Sequence, residues 1–410
     1  METQCIDLLN TLAACMVASG ADASFANFLS ILLGAVLVAT LPLITVILLI
    51  WVERKVVARV QDRVGPNRVG PLGLLQPVAD ALKMLTKEDI TPAGADRFVY
   101  NLAPIIAFAV IILMWAVIPF SPVHVGSELS IGILYFVAIG SIGTIKIMIG
   151  GWASNNKYAL LGAFRTIALL LSYEVPMILA LLIPVLLAGT MNLQEIVHAQ
   201  SGMWFIFTAP LAALVFLIAN QAETGRAPFD LIEAESELIA GYNIEYSGFK
   251  FGMFMAGEFL HVFTVAVLFS TLFLGGWWGP GVEQAPALGF LYLGAKAALV
   301  YLVLLWVRYT LPRFRVDQVM AFNWKLMVPA AIAIVLAQAL ALRVIDALGL
   351  APANGGFVES LPQTAILLGV NLALVFLFLN WARSQGRRRR AAELVVAGEV
   401  RPAVAAPAGD

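Results

Sequence analysis

Cysteine, histidine and charge are all scarce in this chain: two Cys, three His and 12% Asp, Glu, Lys and Arg among 410 residues. Each shortage excludes something. Cys5 and Cys15 cannot hold an iron–sulfur cluster, which takes about four ligands. A disulfide between them on an outer face stays open, and neither is given a role. His124, His198 and His261 are scattered, without metal-ligand spacing, and no nucleotide-binding glycine motif occurs. The chain thus offers no redox centre or nucleotide site of its own. With 61% hydrophobic residues and a mean hydropathy of +0.89, an ordinary soluble domain is excluded as well.

What is abundant is apolar sequence in lengths of about 20 residues or more, enough for a helix to cross a bilayer. Nine such stretches run over 27–52, 99–120, 129–152, 161–189, 203–221, 249–275, 288–307, 327–348 and 363–382. No basic residue precedes the first and its charges follow it, which argues against a cleavable signal peptide. If the 53–98 loop is cytoplasmic, so are 153–165, 222–250, 308–326 and the tail from 383. These segments carry 22 of the 25 Lys and Arg, and the opposite segments carry none. Such one-sidedness is what positive-inside insertion produces, with the N-terminus outside and the C-terminus cytoplasmic. The expected fold is an all-α integral membrane bundle of about nine spans, because backbone groups in lipid must be satisfied internally. Gly132, Gly140, Gly143 and Gly150 on the third span are expected to let neighbouring helices approach closely.

Residues 53–87 read ERKVVARVQDRVGPNRVGPLGLLQPVADALKMLTK and hold seven Lys and Arg in 35 positions. The stripe Leu74, Leu75, Val78, Leu82 and Leu85 has helical spacing and suits a helix lying on the membrane surface. A segment that is basic, kinked and half-apolar fits the mouth of a pocket for an amphiphile.

Several charges fall inside spans. Glu174 in LLLSYEVPMILALL lies about 20 Å deep at 1.5 Å rise per residue. Pro176 removes a helical donor and frees the Ser172 carbonyl. Glu258 precedes His261 by three residues, so the two share a helix face. Lys296 is mid-span, whereas Lys146, close to Trp152, is expected to snorkel to the interface. An isolated ionised group at such depth costs at least ~2.5–3.5 kcal/mol. These groups therefore form static pairs that lock helices, or a proton path, or both.

The loop after the fifth span reads NQAETGRAPFDLIEAESELIAGYNIEYSGFKF. Asp230 suits a helix N-cap with Glu233 at the third position and Gly241 at the end. Glu233, Glu235 and Glu237 repel one another at this spacing, which a cap does not explain. A solvated acidic face is the simple reading; a coupled carboxylate cluster accounts better for the apolar surroundings. After the seventh span, WVRYTLPRFRVDQVMAFNWK supplies Arg308, Arg313, Arg315 and Lys325 beside Asp317. Juxtamembrane basic residues commonly enforce topology or meet lipid phosphates, yet Pro312, Asp317 and Trp324 indicate an ordered turn. The arginine run at 387–390 reads as stop-transfer, and the sequence after it as a disordered tail.

Four blocks carry a resemblance: the 53–87 segment, GWASNNKYALLGAFRTIALLLSYEVP, AETGRAPFDLIEAESELIAGYNIEYSGFKF and VRYTLPRFRVDQVMAFNWK. Together they resemble the quinone-site membrane subunit of respiratory complex I, the proton-pumping NADH:quinone oxidoreductase, over about residues 27–348. The resemblance implies a long quinone tunnel that opens to lipid and ends at a partner subunit. Arg54, Asp80 and Arg308 match residues that line or brace it, with Glu53, Arg59, Arg63, Gln76, Arg313 and Arg315 assigned to the same site. Glu174, Glu223, Glu233, Glu235, Glu237 and Glu258 match an acidic route towards antiporter-like subunits, and Lys296 matches a basic position. Quinone is then the substrate, and NADH, flavin and iron–sulfur clusters belong to partners. Those partners are peripheral-arm subunits, small and antiporter-like membrane subunits and lipid, with no nucleic acid, in the cell (inner) membrane. The chain departs from the family at Gly225 in AETGR, at Leu169 where glutamine is common, and at Lys146, where a small or hydroxylated residue is usual and where pairing with a membrane acid is the alternative to snorkelling.

The expected divisions are an outer segment 1–26, a family-like domain 27–348, a further loop and ninth span over 349–382, and a basic tail 383–410. Three rival readings stand beside this one. The equivalent subunit of a membrane-bound energy-converting hydrogenase has little use for the complete GPNRVGPLGLLQPVAD stretch. A stand-alone transporter predicts internal repeats, which are not visible. A static scaffold leaves the acid cluster unexplained.

Overall fold

The computed structural model describes residues 22–232, 239–350 and 357–396, without the side chains of 357–358, 382 and 385–396. Among these residues the chain is helical, with one isolated bridge between Pro119 and Val125. The helices follow in order: α1 (Ala23–Val60), α2 (Gln76–Thr86), α3 (Arg97–Trp115), α4 (Gly132–Ala153), α5 (Lys157–Ala188), α6 (Leu193–Ala199) and α7 (Phe205–Thr208). Then come α8 (Pro210–Glu223), α9 (Gly248–Phe273), α10 (Leu288–Thr310), α11 (Val316–Phe322), a π-helical turn Asn323–Met327, α12 (Val328–Ala347) and α13 (Phe357–Val396). Eight of these helical stretches are long and apolar enough to cross a bilayer, and the chain is a multi-pass membrane protein.

The helix ends follow local chemistry. Asp96 accepts from the Phe98 and Val99 amides at the start of α3, and Asn156 accepts from the Tyr158 amide at the start of α5. Gly189 closes α5 in the left-handed region at φ +72°. Four boundaries differ from the sequence expectation. α1 does not stop near 52 but runs through ERKVVARV to Val60, since nothing breaks the helix before Asp62 turns at φ +52°. The 203–221 span is broken: Pro210 cannot donate, and the chain splits into α7 and α8. The eighth span gains a full lead-in, α11 and the π turn, from Val316. α13 continues through the arginine run to Val396, where disorder was expected, because AAELVV consists largely of good helix formers. The expected capped helix over the acidic loop, with Glu233, Glu235 and Glu237, lies outside the described residues.

α9 is the hub of the bundle, packed against α3, α10, α1 and α8. α5 joins α4 and α8 on one side and α12 on the other. α1 is the least covered of the long helices before α13, and many of its leucines and isoleucines are exposed in this chain. Lipid tails are as apolar as leucine, so close packing and polar links must select the arrangement. Gly162 lies so near Gly241 that a Cβ would fall 2.7 Å from its carbonyl carbon, and one on Gly151 would fall 2.5 Å from the Ala163 Cβ. Those are the tight approaches. Gly140 and Gly143 border a cavity; a Cβ on Gly140 would also fall 3.0 Å from the Met114 side chain of α3, whereas one on Gly143 would meet nothing within 4 Å. At the broken span, the Thr208 carbonyl is taken by Asn371 of α13 at 3.0 Å and Gln338 of α12 at 3.4 Å, which ties the last helix to the bundle.

Candidate functional site

At the end of α1 successive residues point to different partners, about 100° apart around the helix. Arg54 pairs with Asp80 of α2, whose other carboxyl oxygen accepts from the Gln76 side chain at 3.3 Å. The Trp51 indole donates to the Leu72 carbonyl at 3.2 Å, so the GPLG turn is held against α1. Leu74, Leu75, Val78, Leu82 and Leu85 are all exposed, leaving α2 with the unpartnered apolar face expected of an interfacial helix. Arg59, Arg63 and Arg315 are exposed on the same face of the molecule as the 61–75 loop and the 311–316 turn.

Glu53 faces inward and is 5% exposed. Its carboxylate pairs with Arg308 and accepts from the Tyr309 hydroxyl at 2.6 Å and the Tyr301 hydroxyl at 3.2 Å. A buried charge with three donors is the arrangement that makes burial tolerable. Glu53 and Arg308 border a crevice with Gln221 and Arg226. The arginine turn reaches the same place through its backbone, the Phe314 amide donating to the Pro228 carbonyl at 3.0 Å. Phe229 packs there against Tyr173, Phe314 and Phe322. Blocks far apart in sequence therefore converge on one corner of the bundle.

Arg226 is 9% exposed, lies 4.8 Å from the Phe259 ring and stands within electrostatic reach of Glu258, Tyr301 and Tyr309. Beyond it a cavity of about 40 Å³ is lined by Lys146, Glu223, Glu258, His261, Thr144 and Thr224, among others. Glu258 and His261 share this cavity, as their three-residue spacing predicts. A smaller void of about 10 Å³ adjoins it, sharing Gly140, Glu223 and His261 and adding Ser141 and Asn220. Glu174 lies beside Ser141 and interacts with Glu223.

Two basic residues sit otherwise than the sequence suggested. Lys146 does not snorkel: it is 8% exposed and turned into the cavity, while Trp152 faces outward. Lys296 is remote from this cavity, donating to the Gly276 and Trp278 carbonyls at 2.9 and 2.8 Å, over the Trp204 ring. The freed Ser172 carbonyl is taken by the Asn323 side chain rather than by a group near Glu174.

Sequence reasoning missed the tyrosines and the anchors of the acidic loop. Tyr242 donates to Glu258 at 3.4 Å. Tyr100 and Tyr246 stack at 4.1 Å, and each hydroxyl donates to a backbone carbonyl, of Glu245 and Tyr100 respectively. Burial, then the Tyr100 neighbour, pushes the Tyr246 phenol above its ordinary range, so it stays a donor. Asn156 donates to the Glu245 carboxylate at 2.6 Å and Arg165 to the Ile239 carbonyl at 3.2 Å, fixing the chain just beyond the acidic run. The only sequence signal for these was the polar and aromatic content of GYNIEYS within a membrane chain.

Comparison with known proteins identifies the family. The family described as NADH dehydrogenase matches residues 33–339. An NADH-quinone oxidoreductase subunit of Dehalococcoides mccartyi is 46% identical over 349 residues, 85% of this chain and 92% of the relative. The protein of the same name in Geobacillus kaustophilus is 48% identical over 308 residues, 73% of this chain and 90% of the relative. Its counterpart in Geobacter metallireducens is 48% identical over 294 residues, 69% of this chain and 88% of the relative. Matches of this extent leave the assignment in no doubt: the chain belongs to the NADH dehydrogenase family, as a membrane subunit of complex I.

Proposed function

We propose that this subunit forms much of a quinone tunnel and relays quinone reduction to proton translocation through carboxylates buried among its helices. The observation that carries the reading is the series of charged side chains that runs from the Glu53–Arg308 pair, past Arg226 in the same crevice, to Glu258, Glu223 and Glu174 around the two voids. As a complex I subunit the chain works with other subunits. In this proposal they are the iron–sulfur and quinone-site subunits of the peripheral arm, which hold NADH, flavin and the clusters, and the small and antiporter-like membrane subunits.

Quinone leaves the lipid along the apolar face of α2 and passes the Arg54–Asp80 pair, which braces the mouth. Arg59, Arg63, Arg313 and Arg315 give the surrounding surface its positive potential and orient the partner subunit. Conversion to quinol takes two electrons, supplied from the partner, and two protons. The change of charge is felt first at Arg226 and Asp230, together with Glu233, Glu235 and Glu237 of the acidic loop. Glu258 and Glu223 then adjust their protonation, and Glu174 carries the change onward. Lys296 serves instead to anchor the outer-side turn at Gly276 and Trp278. The basic face is cytoplasmic and the N-terminus outside, supported by the Lys and Arg partition.

The test isolates the assembly in mild detergent and follows NADH-driven reduction of a short-chain quinone, with and without a tunnel-blocking inhibitor. Inhibitor-sensitive activity should collapse in Arg54→Ala and Asp80→Asn with assembly intact, and Glu258→Gln should lower proton uptake per NADH in vesicles. Assembled protein with hydrogen- or ferredoxin-linked activity and no quinone reduction would move the chain to the hydrogenase-like reading.

A further inference from the structure

The lysine at position 146 is the one cationic side chain among the described residues lining the 40 Å³ cavity, and it is more than nine-tenths buried. It projects from α4, across from Glu223 at the end of α8 and from Glu258 and His261 on α9. It is within electrostatic reach of both carboxylates. Gly140 and Gly143, on the same helix, line the same void, and a Cβ on Gly143 would meet nothing within 4 Å. A polar cavity of this size, with several donors and acceptors, has room for at least one water. An uncompensated ammonium at this depth costs at least ~2.5–3.5 kcal/mol, so its retention needs a partner of opposite charge.

We propose that Lys146 is the internal counter-cation of the relay, holding at least one of Glu223 and Glu258 ionised so that a proton can pass between them through cavity water. The inference rests on the relay reading above and gives it a residue that sets its charge balance. In the transfer step the Glu223 carboxylic acid gives its proton to a water, which gives one to the Glu258 carboxylate. The O–H bond at Glu223 breaks, that at Glu258 forms, and the Lys146 ammonium is unchanged. Among the described residues, the other charged or titratable groups facing the site are His261 from α9, Tyr242, which donates to Glu258 at 3.4 Å, Glu174 from α5 through the adjoining void, and Arg226 with Asp230 from the loop after α8. Lys146 acts through the carboxylates, as a positioning residue.

The experiment compares Lys146→Met, Lys146→Arg and Glu258→Gln in the complete complex reconstituted in vesicles, reading proton uptake per NADH and the pH profile of inhibitor-sensitive turnover. An acid that loses a neighbouring cation holds its proton more tightly. Lys146→Met should therefore move the pH profile about one unit to the alkaline side, about a tenfold change in the protonation equilibrium at fixed pH, and lower coupled uptake. Lys146→Arg, which keeps the charge, should recover most of both. A parental profile and uptake in Lys146→Met, with Glu258→Gln impaired, overturns this inference alone; normal uptake in both variants overturns the relay reading itself. Equal impairment in Lys146→Arg and Lys146→Met makes the role steric and also overturns it. If Lys146→Met does not assemble, the double variant with Glu258→Gln decides. Restored assembly supports the charge partnership, and continued failure rejects it.

Discussion

Asn323, in the π-helical turn that leads into α12, donates its side-chain amide to the Ser172 carbonyl, which Pro176 leaves without a helical donor. The two irregularities answer each other: a missing N–H in α5 is replaced from a neighbouring helix that is itself locally unwound. Tyr173 adds a second link, donating to the Val319 carbonyl of α11 at 3.1 Å. Glu174, next in sequence, is thereby held in a helix turn that is tied to a neighbour on its other side.

Removing that amide leaves a buried carbonyl unpaired. Asn323→Ala should lower stability by about 0.6–2 kcal/mol, the range for hydrogen bonds between membrane helices. In a Pro176→Ala background, where residue 176 can donate again, the same change should cost measurably less. Thermal unfolding of the four proteins of this cycle checks it; equal losses in both backgrounds would falsify the pairing.

The Glu53–Arg308 pair predicts a split between stability and redox function. Arg308→Met leaves a carboxylate that is 7% exposed at its side chain without its charge partner. The expected cost is about 3 kcal/mol, the lower end for breaking a buried pair, because two tyrosine hydroxyls remain. Tyr309→Phe should cost about 1.5–3 kcal/mol, the range for a hydrogen bond to a charged group. Inhibitor-sensitive quinone reduction should fall in both, while NADH oxidation by a soluble artificial acceptor, which bypasses the membrane arm, should persist.

Gly73 is at φ +77°, and a Cβ there would lie 2.2 Å from the Pro66 carbonyl oxygen. Gly73→Ala should strain the loop by about 1–3 kcal/mol and displace the α2 face that quinone meets. The Michaelis constant for quinone should rise more than maximal turnover falls. Gly294→Ala, on α10 with nothing within 4 Å, is the control and should stabilise by up to about 1 kcal/mol. If the two variants behave alike, the loop conformation does not matter for substrate access.

Lys296→Gln should loosen the turn at Gly276 and Trp278, whose carbonyls it holds. The expected outcome is a lower thermal midpoint and faster amide exchange across 275–287, with proton uptake per NADH close to the parental ratio. A lost ratio with an unchanged midpoint would return Lys296 to the relay.

Sequence by itself determined that the chain is a helical membrane protein and which family its four polar blocks resemble. Apolar length, one-sided Lys and Arg, and charges too costly to place in lipid without purpose are all local properties of composition and spacing. For the same reason the stripe on α2 and the shared face of Glu258 and His261 could be read from helical periodicity alone. What only tertiary structure decided was the set of partners. Adjacent Glu53 and Arg54 diverge to Arg308 and Asp80, contacts 255 and 26 residues apart. The broken fifth span is completed by Gln338 and Asn371 from α12 and α13. Lys146 and Lys296, both lysines within spans, end in a carboxylate cavity and on backbone carbonyls. A residue's spacing fixes the direction in which it leaves its own helix. What it meets there depends on how the other helices pack, and in lipid that choice is made by close fit and polar pairing between segments distant in the chain.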